Sequence, residues 1–594
     1  MKGLKHLGLM GHFPYDLYPE PTDNQQKALE ILERIPSAIL ELPTGTGKTA
    51  VGYTFLKSLE KESDGPLFYT VPNKTLVDQI KQLHPDVKVM YGRNEYPCIY
   101  YKDQEVTAEG SPCSMLDCPH RVDLETGETE MGGVEPCSYL KAKYEAQQGG
   151  IVVCTMSFYL FASLLSGKWG TPAGLVIDEA HNIAKILRSS LSYDITDQYL
   201  DKAIELLSGV GAFNEARIMT DFKKKMMRIV KLRPPYKQTL LESHEIQDLL
   251  KDLYNIDSSQ LQKMIKKAVK SGAIDVDEQR EVLKRTEVIT RSLAKYLRSL
   301  EYSLPSRNQN PLNYTFAYYE NGGDEGNKTS YRIVIKAYYV APLIKRILAP
   351  KTLAYSATIG DPEVFGYETG IKLPFYTFPS DFPVENTRVL IPTDTPNLAM
   401  KSRNRQDLTR SLRKIAKSCK MLIEAGHRSL VVVVSEKERQ KFLMLCEEEG
   451  VDAMSYGNGV KPRIAAEKFK AGKGDVLVGT ISNYGEGIDL PKSLAPVTFY
   501  LRPGYANPSE PATMFEERRY GNARWQIWNW RVMLEALQVR GRNVRSPEDV
   551  GVTIFVSQQF RRFIPAVLPE WLKEAYDGSK SLQECVKEAC EILK

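Results

Sequence analysis

The chain has 594 residues, 42% hydrophobic and 26% charged, the make-up of a globular protein with about four domains' worth of sequence at ~150 residues each. Its 79 basic and 74 acidic residues leave a net charge of only +5, which excludes a general polycationic field, so any nucleic-acid contact must come from local patches. No apolar run approaches the ~20 residues of a membrane span, and the first residues, with His12, Pro14 and Asp16, carry no signal-like apolar stretch. No membrane association is expected, and the location is cytoplasmic, or nuclear in a eukaryote.

The first periodic stretch carries Ala28, Leu29, Ile31, Leu32 and Ile35, the spacing of an amphipathic helix. Gln25 sits at its start, where a side-chain amide can read an adenine edge or simply face solvent. An apolar strand, Ser37 to Leu40, then runs into Thr44-Gly45-Thr46-Gly47-Lys48-Thr49 and a helical pattern with Val51, Phe55 and Leu56. Strand, glycine loop, Lys-Thr and helix in that order describe a phosphate cradle. Its backbone N–H groups and the helix dipole attract an anion, Lys48 reaches the β- and γ-phosphates, and the Thr49 hydroxyl can hold Mg²⁺. Leu42 stands where the longer P-loop pattern has glycine, so the match is to the shorter T-G-x-G-K-T form. A second strand, Pro66 to Val71, continues the alternation that predicts a parallel sheet with ligands at its carboxyl edge.

Four of the nine cysteines follow close together: Cys98, fourteen residues, Cys113, four residues, Cys118, eighteen residues, Cys137. The segment is rich in proline and glycine and poor in large apolar residues, so it needs a staple. Disulfides do not suit a cytosolic chain. Four thiolates suit an iron–sulfur cluster or a structural zinc, with unligated cysteines as the plain alternative. The spacing leans towards [4Fe–4S], because only Cys113 and Cys118 are close neighbours. His120 is a possible substitute ligand.

Strands resume at Gly150–Thr155 and at Leu175–Ile177, the latter ending in Asp178-Glu179-Ala180-His181. Asp178 at the strand end can hold Mg²⁺ and its water shell, while Glu179 can polarise the attacking water. Such an acidic pair downstream of a P-loop points to hydrolysis of a nucleoside triphosphate. Residues 187–340 switch to long helical patterns with basic clusters at Lys223-Lys224-Lys225 and at Lys263, Lys266, Lys267 and Lys270, read as solvated helix faces or a phosphate-tracking groove. Sheet-like sequence returns at Thr352 to Thr358, including Ser356-Ala357-Thr358, and a second α/β pattern starts near 390. That second pattern has no P-loop but carries Gly485-Glu486-Gly487-Ile488-Asp489 and Gln538-Val539-Arg540-Gly541-Arg542-Asn543-Val544-Arg545. Arg542 and Arg545 share a helical face and suit arginine fingers aimed across a cleft. Arg518-Arg519-Tyr520, Arg524-Trp525, Trp528 and Trp530-Arg531 interleave charge and aromatics that could stack bases or pack a helix.

Together, P-T-G-T-G-K-T, the D-E-A-H box, Ser-Ala-Thr, G-E-G-I-D and Q-x-x-G-R-x-x-R resemble superfamily 2 helicases, and the four-cysteine insert resembles that of the XPD/DinG branch of iron–sulfur DNA helicases. The resemblance spans nearly the whole chain in motif order. It implies an α/β fold of two RecA-like parallel-sheet domains with a Cys-rich iron–sulfur insertion and a mainly helical Arch insertion. The divisions it implies are 1–90, 146–186 and 342–390 for helicase domain 1, 91–145 for the iron–sulfur domain, 187–341 for the Arch and 391–594 for helicase domain 2.

It further implies ATP-driven 5′→3′ translocation on single-stranded and forked DNA by a monomer working with DNA-repair proteins. The implied cofactors are ATP, Mg²⁺ and a [4Fe–4S] cluster on Cys98, Cys113, Cys118 and Cys137. By position, Gln25 resembles the adenine reader, Lys48 and Thr49 the phosphate and metal binders, Asp178 the metal holder and Glu179 the base. Ser356 and Thr358 would couple hydrolysis to DNA grip, Asp489 would touch nucleotide from the second domain, and Arg542 and Arg545 would be the fingers. Ser557-Gln558-Gln559 and Leu501-Arg502-Pro503 depart from commoner patterns, leaving XPD-like and DinG-like subfamilies both open, as are a nucleoprotein-displacing or hybrid-remodelling role and a DNA-docking subunit with little motor role.

Overall fold

A computed structural model describes residues 8–63, 65–102, 105–166, 169, 171–271, 276–306, 310–320, 329–399, 404–457, 459–485, 490, 494–541, 544 and 546–594. In chain order the strands are β1 (Ala38–Glu41), β2 (Leu67–Val71), β3 (Lys88–Met90), β4 (Ile151–Thr155), β5 (Gly174–Asp178), β6 (Tyr193–Thr196), β7 (Thr239–Leu240), β8 (Asn313–Glu320), β9 (Ser330–Ala337), β10 (Lys351–Ser356), β11 (Phe375–Thr377), β12 (Thr387–Leu390), β13 (Ser429–Val433), β14 (Ala453–Met454), β15 (Val476–Thr480), β16 (Val497–Tyr500), β17 (Gly551–Phe555) and β18 (Tyr576–Asp577). Two seven-stranded sheets, ordered β11-β1-β10-β5-β2-β4-β3 and β14-β15-β13-β16-β17-β12-β18, are parallel at every pairing. The near-continuous apolar runs of their central strands are what a sheet covered on both faces requires.

Alternation along each strand divides these residues between two layers. In β2, Phe68 faces one cluster while Leu67 and Tyr69 face the other. The Phe68 side is continuous with the second sheet: Ile177 and Ala354 share a cluster with Leu430, Val432, Leu477 and Tyr500, joined by Trp530, Met533 and Leu534 of the helix Arg524–Arg540. The opposite layer of the first sheet holds the helix Lys48–Leu59, which buries Val51, Phe55 and Leu56. A methyl group at Gly52 would lie 2.9 Å from the Tyr355 hydroxyl and the Tyr69 ring, so this close approach needs glycine.

Between β5 and β10 the chain builds a separate body with its own core, in which Phe222, Met226, Leu249, Leu293 and Leu300 are buried. It is helical for most of its length, including Phe213–Lys231 and Val276–Glu301, but also holds a four-stranded antiparallel sheet, β6-β9-β8-β7. The strands β8 and β9 were hidden among helical patterns, although Tyr-Thr-Phe-Ala-Tyr and Tyr-Arg-Ile-Val-Ile carry β-branched and aromatic residues. The cysteine-bearing segment docks on this body. The Ser114 hydroxyl donates to the buried Glu287 carboxylate at 2.7 Å, Lys284 donates to the Glu109 carbonyl, and Met115 enters the core. Among the described residues no helix is long and apolar enough to cross a membrane.

Candidate active site

At the carboxyl edge of the first sheet, β1 delivers the glycine loop. Gly45 at φ 90° and Gly47 at φ 65° occupy the left-handed region, which glycine adopts without steric cost. Lys48 folds over the loop and donates to the Leu42 and Pro43 carbonyls at 3.3 and 3.4 Å. Gln25 closes the first turn of its helix by accepting from Thr22 N–H at 2.9 Å, and its amide reaches the Gly47 carbonyl at 3.4 Å. The Gln25 amide nitrogen lies 2.2 Å from where a methyl group at Gly47 would stand. Gln25, Thr44, Gly45, Thr46, Gly47, Lys48 and Thr49 are therefore gathered on one loop and the helix beside it.

Two strands away, β5 ends in Asp178 and Glu179. Burial, together with the Glu179 carboxylate, pushes the Asp178 carboxyl well above its usual range, and Lys48 pulls the other way. A carboxyl so placed fits a cation, which would restore its charged form. Glu179 is held at φ 51°, a left-handed conformation that costs a non-glycine residue of order 1–3 kcal/mol and clusters at functional sites. Its N–H donates to Asp178 at 2.9 Å, and its carboxylate accepts from the Ser356 hydroxyl at 2.9 Å. The Ser356 hydroxyl also lies 2.7 Å from His181 Nδ1, and His181 Nε2 meets the Gln538 side-chain amide. The glutamate, the Ser-Ala-Thr turn and the second lobe are thus joined by one hydrogen-bonded chain. Thr358 N–H donates to the Ser356 hydroxyl at 3.2 Å and belongs to the same turn.

Glu41, which sequence reading passed over, completes this edge. Its half-buried carboxylate accepts from Ile359 N–H at 2.6 Å and Gly360 N–H at 2.9 Å, clamping the turn beyond Thr358 to the strand before the glycine loop. Burial raises this carboxyl, opposed by those two N–H groups. An acidic residue ending an apolar strand was the available signal. The same turn receives the Trp530 indole N–H, which donates to the Ile359 carbonyl at 2.9 Å. Trp530 and Trp528 are buried and Trp525 is half-exposed, so packing accounts for the first two. Asp489, Arg542 and Arg545 lie outside the described residues.

Cys98, Cys113, Cys118 and Cys137 are all partly buried. Burial pushes the Cys113 and Cys118 thiols up, with smaller upward contributions from Cys98 and Cys137 at both, opposed at Cys113 by Arg93. Among the described residues, however, no three metal-binding side chains converge on one point. The His120 ring nitrogen Nδ1 is engaged by the Glu135 carbonyl at 2.7 Å. The donor set fits a thiophilic metal group in its chemistry, not yet in its convergence.

Residues 408–575 match the helicase C-terminal domain, and residues 19–207 match the type III restriction enzyme res subunit. A segment of 88 residues is 38% identical to a probable helicase HelY of Mycobacterium leprae, and 92 residues are 35% identical to the M. tuberculosis protein. The chain's matches span about a tenth of those relatives, 9% and 10%. In fold it is similar to a solved XPD helicase, with TM-score 0.59 at 16% identity over 96% of this chain and 98% of that one. It is similar also to S. tokodaii Xpd4, with TM-score 0.54 at 12% identity over 93% and 98%. The helicase C-terminal match falls on the second sheet, the restriction-enzyme res-subunit match covers most strands of the first, and the whole-chain fold is similar to that of XPD structures; the family matches support a helicase.

Proposed function

We propose that the protein is an ATP-dependent DNA helicase that moves 5′→3′ along single-stranded DNA and separates duplexes in DNA repair. The observation that carries this reading is the unbroken chain Glu179–Ser356–His181–Gln538, because it ties the proposed base to the second lobe. Lys48 and the loop N–H groups hold the β- and γ-phosphates. Thr49 and Asp178 would hold Mg²⁺, which neutralises charge on the phosphates. Glu179 orients a water and takes its proton as the oxygen bonds to the γ-phosphorus. The bond to the ADP oxygen breaks, and ADP leaves with the charge it gains. Loss of the γ-phosphate alters what Glu179 and Ser356 face, and His181 and Gln538 pass that change to the helix Arg524–Arg540. Asp489, Arg542 and Arg545 are proposed to reach the nucleotide from the second lobe.

The segment 91–145 is proposed as an iron–sulfur domain, with Cys98, Cys113, Cys118 and Cys137 as the residues that would hold [4Fe–4S]. Such a group would staple this loop-rich segment. The body at 187–341 is proposed as the Arch. Strand separation tests the reading: with ATP and Mg²⁺, a duplex with a 5′ single-stranded tail should be unwound and one with only a 3′ tail should not. Equal unwinding of both, or none, contradicts it.

A further inference from the structure

We infer that Phe382, on the linker between the two sheets, is a specificity-determining residue that supplies the stacking face for the nucleotide base. The inference rests on the ATPase reading above.

The linker leaves β11 and enters β12, and on the way it is strapped to the start of the Gln25 helix. Asn24 donates to the Pro379 carbonyl at 2.9 Å and to the Asp381 carboxylate at 2.6 Å. Phe382 N–H donates to the Ser380 hydroxyl at 3.1 Å, and the Phe382 side chain itself lies on the glycine loop. There the ring tip lies against Gly45: a methyl group at that position would stand 2.1 Å from Phe382 Cζ. The loop's two glycines are therefore approached by two protein groups, Gln25 at Gly47 and Phe382 at Gly45, both anchored at one helix start.

A purine needs a hydrogen-bonding partner for its edge and an apolar face to lie on, and Gln25 and Phe382 supply one each. Core packing does not account for the ring. Phe378, four residues earlier, is buried in the first lobe's core, whereas Phe382 is half-buried and joins none of the described apolar cores. The ring's position on a linker also means that its fit to the base depends on how the lobes sit.

The test compares binding of ATP with binding of inorganic tripolyphosphate, which engages the loop but has no base. Phe382→Ala should weaken ATP binding on the order of tenfold, leave tripolyphosphate within about twofold, and be rescued by Phe382→Trp. Equal weakening of both ligands, no change in either, or tighter binding of both would overturn the inference, the last marking the ring as a plug. Neither probe needs DNA. Wild-type protein that binds ATP without DNA-stimulated turnover sinks the helicase reading alone, whereas failure to bind ATP sinks both.

Discussion

Glu179 shows how much one residue can reveal about a site. Its carboxylate is aimed by a left-handed backbone and by the Ser356 hydroxyl, an arrangement with a local cost that only a demanding geometry explains. Glu179→Gln keeps the shape and loses the proton acceptor. Turnover should fall on the order of 10²–10⁴-fold while ATP affinity changes little, read by hydrolysis and equilibrium binding. Preserved turnover would remove Glu179 from the chemistry. The D-E-A-H run and the glycine loop were legible in the sequence because each is a short run whose chemistry depends on neighbouring residues. Glu41 and Phe382 were not, because their roles arise from contacts with residues about 320 and 340 positions away in the chain.

At the scale of elements, the helix Arg524–Arg540 carries the second lobe's contacts to His181 and to the turn after Ser-Ala-Thr. Gln538 reaches His181 near its end, Trp530 reaches the turn after Ser-Ala-Thr, and Arg531 enters a buried charge cluster. In that cluster Glu368 accepts from Arg188 at 2.6 Å and from Arg531 at 3.0 Å. Arg531 also donates to Glu516 at 2.6 Å and to the Tyr338 hydroxyl at 2.8 Å. Burial alone would raise the Glu368 carboxyl, but the two arginines outweigh it and hold it down at about 2, against an ordinary 4.5.

A depressed folded-state value means the stabilisation is present above pH 4.5 and is lost as pH falls towards 2. Melting temperature should therefore drop across that window. Glu368→Gln should be less stable at neutral pH, by roughly 3–5 kcal/mol for a broken buried pair, with a shallower drop in acid. Parallel curves for the two proteins would contradict the assignment. The spacing of Trp525 and Trp528 announced this helix, but which tryptophans faced inward depended on the partner lobe. The central strands were readable to within a residue or two from their apolar runs, except β12, which pairs into the second sheet from residues assigned to the first domain. Edge strands such as Lys88–Met90 and Ala453–Met454 are too short to leave a period.

At the scale of the whole molecule, two parallel sheets share one apolar layer, and a third body is tied to both through Tyr338. This architecture followed from the order of motifs, since strands alternating with helices permit few other arrangements. The antiparallel sheet inside the third body did not, because β6 and β7 pair with β9 and β8 across a long helical stretch of chain. The central claim is that the two lobes act on one triphosphate and that nucleic acid sets the pace. Steady-state ATP hydrolysis with and without single-stranded DNA, in wild type and Lys48→Ala, tests it most directly. The account predicts several-fold stimulation of wild type by the strand and no turnover above background in the variant; a Lys48→Ala protein that hydrolyses ATP at the wild-type rate, or a wild type indifferent to DNA, would contradict it.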